Sequence, residues 1–168
     1  MKSSQLLLFV LLLFVIASCS KEDPISNRGD NVLYFNSFET EEDFSAFEGN
    51  AFFPIEDTPD NAGAQALGVS GGCILPHLQF EVGPFDEDME VMMHFMAKSG
   101  DFKCGGVQMR INDFEISPVG ILVDDFNWKH YDSESLFVPA NEVIRIEFLC
   151  GGIAACPAFF DLFTIEKL

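Results

Sequence analysis

From Val32 to Leu168 the apolar residues recur with a period of two, in runs too short for helices, and glycine, proline or aspartate closes most of them. Such a pattern buries one side of each run only if the runs pair as strands. Val32-Leu33-Tyr34-Phe35 opens the series, followed by Gln65 to Val69, Leu78 to Val82, Met89 to Ala97, Val107 to Ile111, Phe114 to Ser117, Leu136 to Val138, Val143 to Leu149 and Phe159 to Ile165. The one helical signal is short: Thr40 caps a single turn over Glu41-Glu42-Asp43. Val143 to Leu149 sets Ile144, Ile146 and Phe148 against Arg145 and Glu147, the signature of a half-buried strand. Met89 to Ala97 differs. Met89, Val91, Met93, Phe95 and Ala97 share one face, and Glu90, Met92, His94 and Met96 share the other, so both faces are largely apolar. That strand belongs mid-sheet, either covered twice or lining a shallow binding surface. The expected fold is all-β, an antiparallel sandwich forming one domain over residues 32–168.

The N-terminus is organised differently. Lys2 precedes an unbroken apolar run from Leu6 to Ala17, and Ile16-Ala17-Ser18-Cys19 follows. A short positive segment, an apolar core too short for a comfortable membrane span, and small residues before a cut define a signal peptide over residues 1–18. The tetrapeptide resembles a bacterial lipobox, which makes Cys19 the lipid acceptor and holds the chain on a membrane through its acyl chains. An ordinary signal peptide that happens to precede a cysteine is the alternative, and it leaves a soluble secreted protein. Ser20-Lys21-Glu22-Asp23 resembles the lysine-plus-acidic tag of surface-exposed lipoproteins of Bacteroidota. That likeness implies an outer-membrane, lipid-anchored protein at the cell surface, the periplasmic face being the alternative; residues 19–31, polar and carrying Pro24, Asn27, Gly29 and Asp30, read as acylated N-terminus and flexible tether.

Charge narrows the partners. The formal balance is −18, and removing residues 1–18 takes away Lys2 and no acid, leaving −19. Phosphate backbones and anionic lipids need lysine and arginine, so nucleic acid is excluded as a partner and the lipid is the only membrane contact expected. Cations, neutral ligands and other surface proteins remain compatible.

With Cys19 lipidated, Cys73, Cys104, Cys150 and Cys156 are an even number in a compartment where disulfides persist. The short loop Cys150-Gly-Gly-Ile-Ala-Ala-Cys156 favours a bridge between its ends, leaving Cys73 to pair with Cys104. Four buried thiols are the alternative. A zinc site is disfavoured because only one of the two pairs is close.

No catalytic residue is assigned. Gly68-Val69-Ser70-Gly71-Gly72 satisfies a Gly-x-Ser-x-Gly pattern, but a nucleophile elbow needs a helix after the serine, and Cys73-Ile74-Leu75-Pro76 does not start one. His77, His94 and His130 are dispersed singles without metal spacing, read as structural imidazoles. Ligand binding finds more support. Trp128, His130 and Tyr131 follow the loop-like Asp124-Asp125-Phe126-Asn127 and form the candidate binding platform; Phe52-Phe53-Pro54 is a second aromatic candidate. The competing reading places these rings in the core.

Six segments together resemble the galactose-binding-like jelly roll shared by many carbohydrate-binding modules and small surface lipoproteins. They are Phe38-Glu39; Ala66-Leu67-Gly68-Val69-Ser70-Gly71-Gly72-Cys73; Met93-His94-Phe95-Met96-Ala97-Lys98; Trp128-Lys129-His130-Tyr131; Val143 to Phe148; and Phe160-Asp161-Leu162-Phe163-Thr164-Ile165. The likeness covers nearly the whole domain. It implies a non-catalytic module that binds carbohydrate, and a structural calcium held by Glu39 and Asp161. A structural or adhesive surface protein, and more remotely a small hydrolase, are the other functions considered.

Overall fold

The computed structural model describes residues 29–49, 52–71, 76–103, 105–113, 115–150 and 157–168. The signal segment 1–18, Cys19 and nearly all of the tether 19–31 lie outside the described residues, as do Cys73, Cys104 and Cys156.

Among the described residues there are twelve strands: β1 (Val32–Asn36), β2 (Glu48–Gly49), β3 (Phe52–Ile55), β4 (Ala66–Val69), β5 (Pro76–Val82), β6 (Met89–Ser99), β7 (Gly105–Arg110), β8 (Val119–Val123), β9 (Lys129–Asp132), β10 (Leu136–Val138), β11 (Ile144–Cys150) and β12 (Ala158–Lys167). One turn of 3-10 helix, Glu41–Phe44, has Thr40 at its N-cap, as expected. All pairings are antiparallel. Sheet A has seven strands in the order β10-β6-β12-β4-β3, with β9 also on β6 and β1 also on β12. Sheet B has five, in the order β2-β5-β11-β7-β8. The expected all-β antiparallel sandwich is therefore the fold observed.

Alternation builds the core. Met89, Val91, Met93, Phe95 and Ala97 of β6 face Ile144, Ile146 and Phe148 of β11 in one buried cluster. Phenylalanine fills the space between the sheets: Phe148 meets Phe160 edge-on at 4.8 Å and Phe163 at 5.6 Å, and Phe80 meets Phe163 at 6.0 Å. Each such pair adds about 1 kcal/mol beyond its burial.

One irregularity matters for function. In β12 the inward residues are Ala158 and Phe160, then Phe163 and Ile165, so the alternation slips by one residue. A bulge between Asp161 and Thr164 in the pairing with β6 absorbs the extra residue, and Leu162 takes the left-handed φ of 49° there. The slip leaves Asp161 fully buried.

Three sequence expectations need correction. Of the expected strand Phe114 to Ser117, the described part, Glu115 to Ser117, is a turn: Glu115 N–H donates to Asp113 Oδ1 at 2.8 Å and Ile116 N–H to the Asp113 carbonyl at 3.3 Å, so an Asp side chain captures the backbone. Conversely, β3 and β8, which contain Pro54 and Gly120 and were not among the expected strands, do form. Both are edge strands, where a missing N–H or side chain is tolerated. The Cys150–Cys156 bridge is not formed. Cys150 is a free thiol on the inward face of β11, its Sγ–H donating to the Val69 carbonyl at 3.2 Å, and burial pushes its pKa up to about 11.

Candidate ligand groove on the outer face of sheet A

The second face of β6 is the shallow surface that its sequence allowed. Met92, His94, Met96 and Lys98 are half-buried there, neither covered by another layer nor fully in water. Two neighbouring grooves run over this face, and Met96 lines both.

The first groove, about 470 Å³, has Met96 and Lys98 as its floor, the Asp57–Asp60 loop on one side and Phe126–Trp128 on the other. Trp128 is held in place. Its indole Nε1–H donates to Asp57 Oδ1 at 3.2 Å, and Lys98 Nζ lies 5.3 Å from its ring centroid and 5.3 Å from that of Phe159. Lys98 also pairs with the other oxygen of Asp57, and this bond, with the indole bond second, holds the Asp57 carboxyl below the usual carboxylate range. A lysine shared between two rings and a carboxylate fixes the indole's edge and orientation while the ring lines the groove. Gly68 pairs with Phe159 on one side and with Phe53 of the edge strand on the other, and any Cβ at position 68 would meet the Phe53 ring at 2.6 Å.

The second groove, about 450 Å³, is lined by His94, His130, Thr164 and Glu166. Here strand register unites residues that are far apart in sequence. His94 pairs with Asp132 across β6 and β9, and His130 stands two residues from Asp132 on the same face. The imidazoles of His94 and His130 stack, 6.1 Å between centroids and 15° between planes. Reading the histidines as isolated singles is thus corrected for this pair.

Of the three residues expected to form the platform, Trp128 and His130 share the outer face and Tyr131 does not. Successive strand residues point to opposite faces, and Tyr131 faces the core, 9 % exposed and stacked on Phe95 at 5.6 Å. Its hydroxyl accepts the N–H groups of Asp124 and Asp125 at 3.3 and 3.2 Å. Asp125 Oδ1 in turn accepts the Asn127 N–H at 3.0 Å. Tyr131 therefore supports the loop that carries Trp128. Lys98, Asp57 and Phe159 escaped the sequence reading; Lys98 continues the outer face of β6, whereas nothing in Glu56-Asp57-Thr58 marks Asp57.

Of Glu39 and Asp161, expected to hold calcium, Asp161 lies at the β12 bulge and Glu39 is near enough for its charge to act on it. Asp161 Oδ2 is buried without a hydrogen-bond partner, while Oδ1 accepts the Leu162 N–H at 2.7 Å. Burial, and secondarily the neighbouring Glu39 charge, push the Asp161 carboxyl up to about 7 against the pull of that amide. Glu39 accepts the N–H groups of Ala64 at 3.0 Å and Gln65 at 3.3 Å. Gly63, at φ 124°, curls the loop so tightly that an added Cβ would stand 2.0 Å from Glu39 Oε1. Phe38, fully buried, also holds a left-handed φ of 57°. A buried carboxylate oxygen without a partner, within reach of a second carboxylate's charge, is the kind of group a hard cation takes up. Bound calcium would neutralise the two charges and fasten the β12 bulge to the 39–65 region through Asp161 and Glu39.

No protein-family model matches the chain, and no curated protein resembles it in sequence. Solved structures do match its shape. The CBM22-1 xylan-binding domain from Paenibacillus barcinonensis Xyn10C superposes with TM-score 0.54 at 12 % identity, covering 82 % of this chain and 94 % of that domain. The C-terminal family 22 carbohydrate-binding module of Clostridium thermocellum Xyn10B gives TM-score 0.56 at 12 % identity, with 83 % and 95 % covered. The module CBM6cm-2 from Cellvibrio mixtus lichenase 5A, solved with cellotriose, gives 0.51 at 13 %, with 82 % and 98 % covered. The fold is that of carbohydrate-binding modules. At these identities the likeness is one of fold alone. Among the described residues, Ser70 and Gly71 follow β4 as irregular chain.

Proposed function

We propose that this chain binds a carbohydrate along the outer face of sheet A, as a non-catalytic module displayed at the cell surface on a lipid attached to Cys19. Trp128 carries the reading. A sugar ring offers an apolar C–H face ringed by hydroxyls, and its usual protein complement is a fixed aromatic face flanked by a few hydrogen-bonding groups. Trp128 with Asp57, Lys98 and Asn127 beside it is such a set, and the continuation of the groove past Met96 to His94 and Thr164 gives length for several sugar units. The strong negative charge favours a neutral polysaccharide over an acidic one. Solved relatives of the fold are named for xylan and cellotriose, and these are the first ligands to try.

Electrophoresis through gels containing xylan or soluble β-glucan tests the reading. The protein is expected to be retarded, and Trp128→Ala to run as in a ligand-free gel. Equal retardation of both proteins contradicts the platform, and binding of surface proteins with no glycan binding favours the adhesive alternative. The anchor is tested separately: Cys19→Ser is expected to move the protein from the membrane to the soluble fraction, and retention contradicts lipidation.

A further inference from the structure

The His94–His130–Asp132 cluster has a chemistry that sugar binding does not require. His94 Nδ1 stands 2.6 Å from Asp132 Oδ1, and His130 Nδ1 stands 3.4 Å from the same oxygen. One donor atom from each of the three residues falls within a sphere where all lie at most 4.8 Å apart. Zinc holds nitrogen and oxygen ligands at about 2.0–2.1 Å in a tetrahedron, which spaces neighbouring donors about 3.3 Å apart. The separations seen here bracket that value, so small side-chain rotations suffice to admit an ion.

The scaffold is also suited. All three residues sit on one face of two paired strands, His94 directly opposite Asp132, so main-chain hydrogen bonds fix their spacing. On the other side of β6, β12 places Glu166, whose Oε2 lies 3.7 Å from His94 Nε2. A metal-bound imidazole commonly points its second nitrogen at a carboxylate, which fixes the ring and its tautomer. His94 is therefore flanked as a ligand is: one nitrogen toward the cluster, the other toward an outer acid. Two imidazoles select against calcium and magnesium and for zinc, copper or nickel, and the net charge of −18 favours any cation at an exposed site.

We propose that His94, His130 and Asp132 bind a divalent transition-metal ion of the zinc type, with Glu166 orienting His94. Three protein ligands leave a fourth tetrahedral position to water or to a ligand atom, and His130 and Asp132, each more than half exposed, keep that position reachable from solvent. The site uses neither Glu39 nor Asp161; it shares His94 and His130 with the second groove, and a zinc titration without glycan reads it apart from the glycan proposal.

Zinc titration of tag-free, chelator-treated protein followed by calorimetry is the test. A single saturable site is expected, absent in His94→Ala and in His130→Ala, and weakened about tenfold or more in Glu166→Gln. His77→Ala and Glu39→Gln are expected to bind zinc as the wild type does. Histidine-ring NMR of the unaltered protein gives a second readout that needs no variant: of the three histidines, His94 and His130 are expected to shift with zinc. Failure of the wild type to bind, undiminished binding in both alanine variants, or a shift confined to His77 overturns the proposal.

Discussion

On the outer face of sheet B, Glu147 is only 3 % exposed yet both its oxygens are occupied, by Gln108 Nε2 at 2.5 Å and Arg110 Nε at 2.8 Å. In sheet A the equally buried Asp161 leaves one oxygen with no partner. The two outer faces also differ in what they display. Sheet B pairs its own charges, Arg145 with Glu81 as well as Arg110 with Glu147. Sheet A turns a tryptophan, two histidines and half-buried methionines toward two grooves. A buried charge costs several kcal/mol unless something answers it, so Glu147, answered within sheet B, has a structural part, whereas the unpartnered oxygen of Asp161 is left open to a cation from outside.

The largest effect expected from breaking this contrast lies at Asp161. Moving its carboxyl from the ordinary 3.8 to about 7 means that ionising it without a counter-charge costs about 4 kcal/mol of stability. The group binds its proton more tightly folded than unfolded. Chelator-treated protein is therefore most stable below about pH 4 with respect to this group, and loses stability as pH rises from there through about 7. Thermal melts in chelator are expected to show that decline, Asp161→Asn to abolish it, and calcium to raise the wild-type Tm at pH 7 while leaving the variant unmoved.

Glu147→Ala comes next. It strands Gln108 and Arg110, and a loss of about 2 kcal/mol in denaturant unfolding is expected, since hydrogen bonds to charged groups contribute about that much. Glycan binding is expected to stay unchanged, because the residue lies on the opposite face. Smallest is Arg145→Ala, which breaks a half-exposed pair and is expected to cost under about 1 kcal/mol with no effect on ligand binding. If either sheet B variant weakened glycan binding, the division between the faces would fail.

Much of the fold was legible because strand alternation is a local signal. Met89 to Ala97 and Val143 to Leu149 announced their faces, while Glu39 and Asp161 were paired only through the family resemblance. Elements at the edges were harder: Pro54 and Gly120 break patterns that an edge strand does not need to keep, and Asp113 captured a run that otherwise alternates. The site was half legible. Trp128 stood out as the sole tryptophan, but Tyr131 was misassigned because proximity in sequence outweighed the alternation that sends it inward. The pairing of His94 with His130 depends on register between β6 and β9, and Asp57 depends on a loop closing over Lys98. Neither is encoded in spacing along the chain.

Because the chain has one tryptophan, its fluorescence reports Trp128 directly. Titrating the protein with xylo- or cello-oligosaccharide while following that emission is the most direct test of the claim that sheet A's outer face binds glycan. A saturable change is expected, with the same midpoint in Glu147→Ala as in the wild type. Binding registered by calorimetry with Trp128 emission unmoved would contradict it.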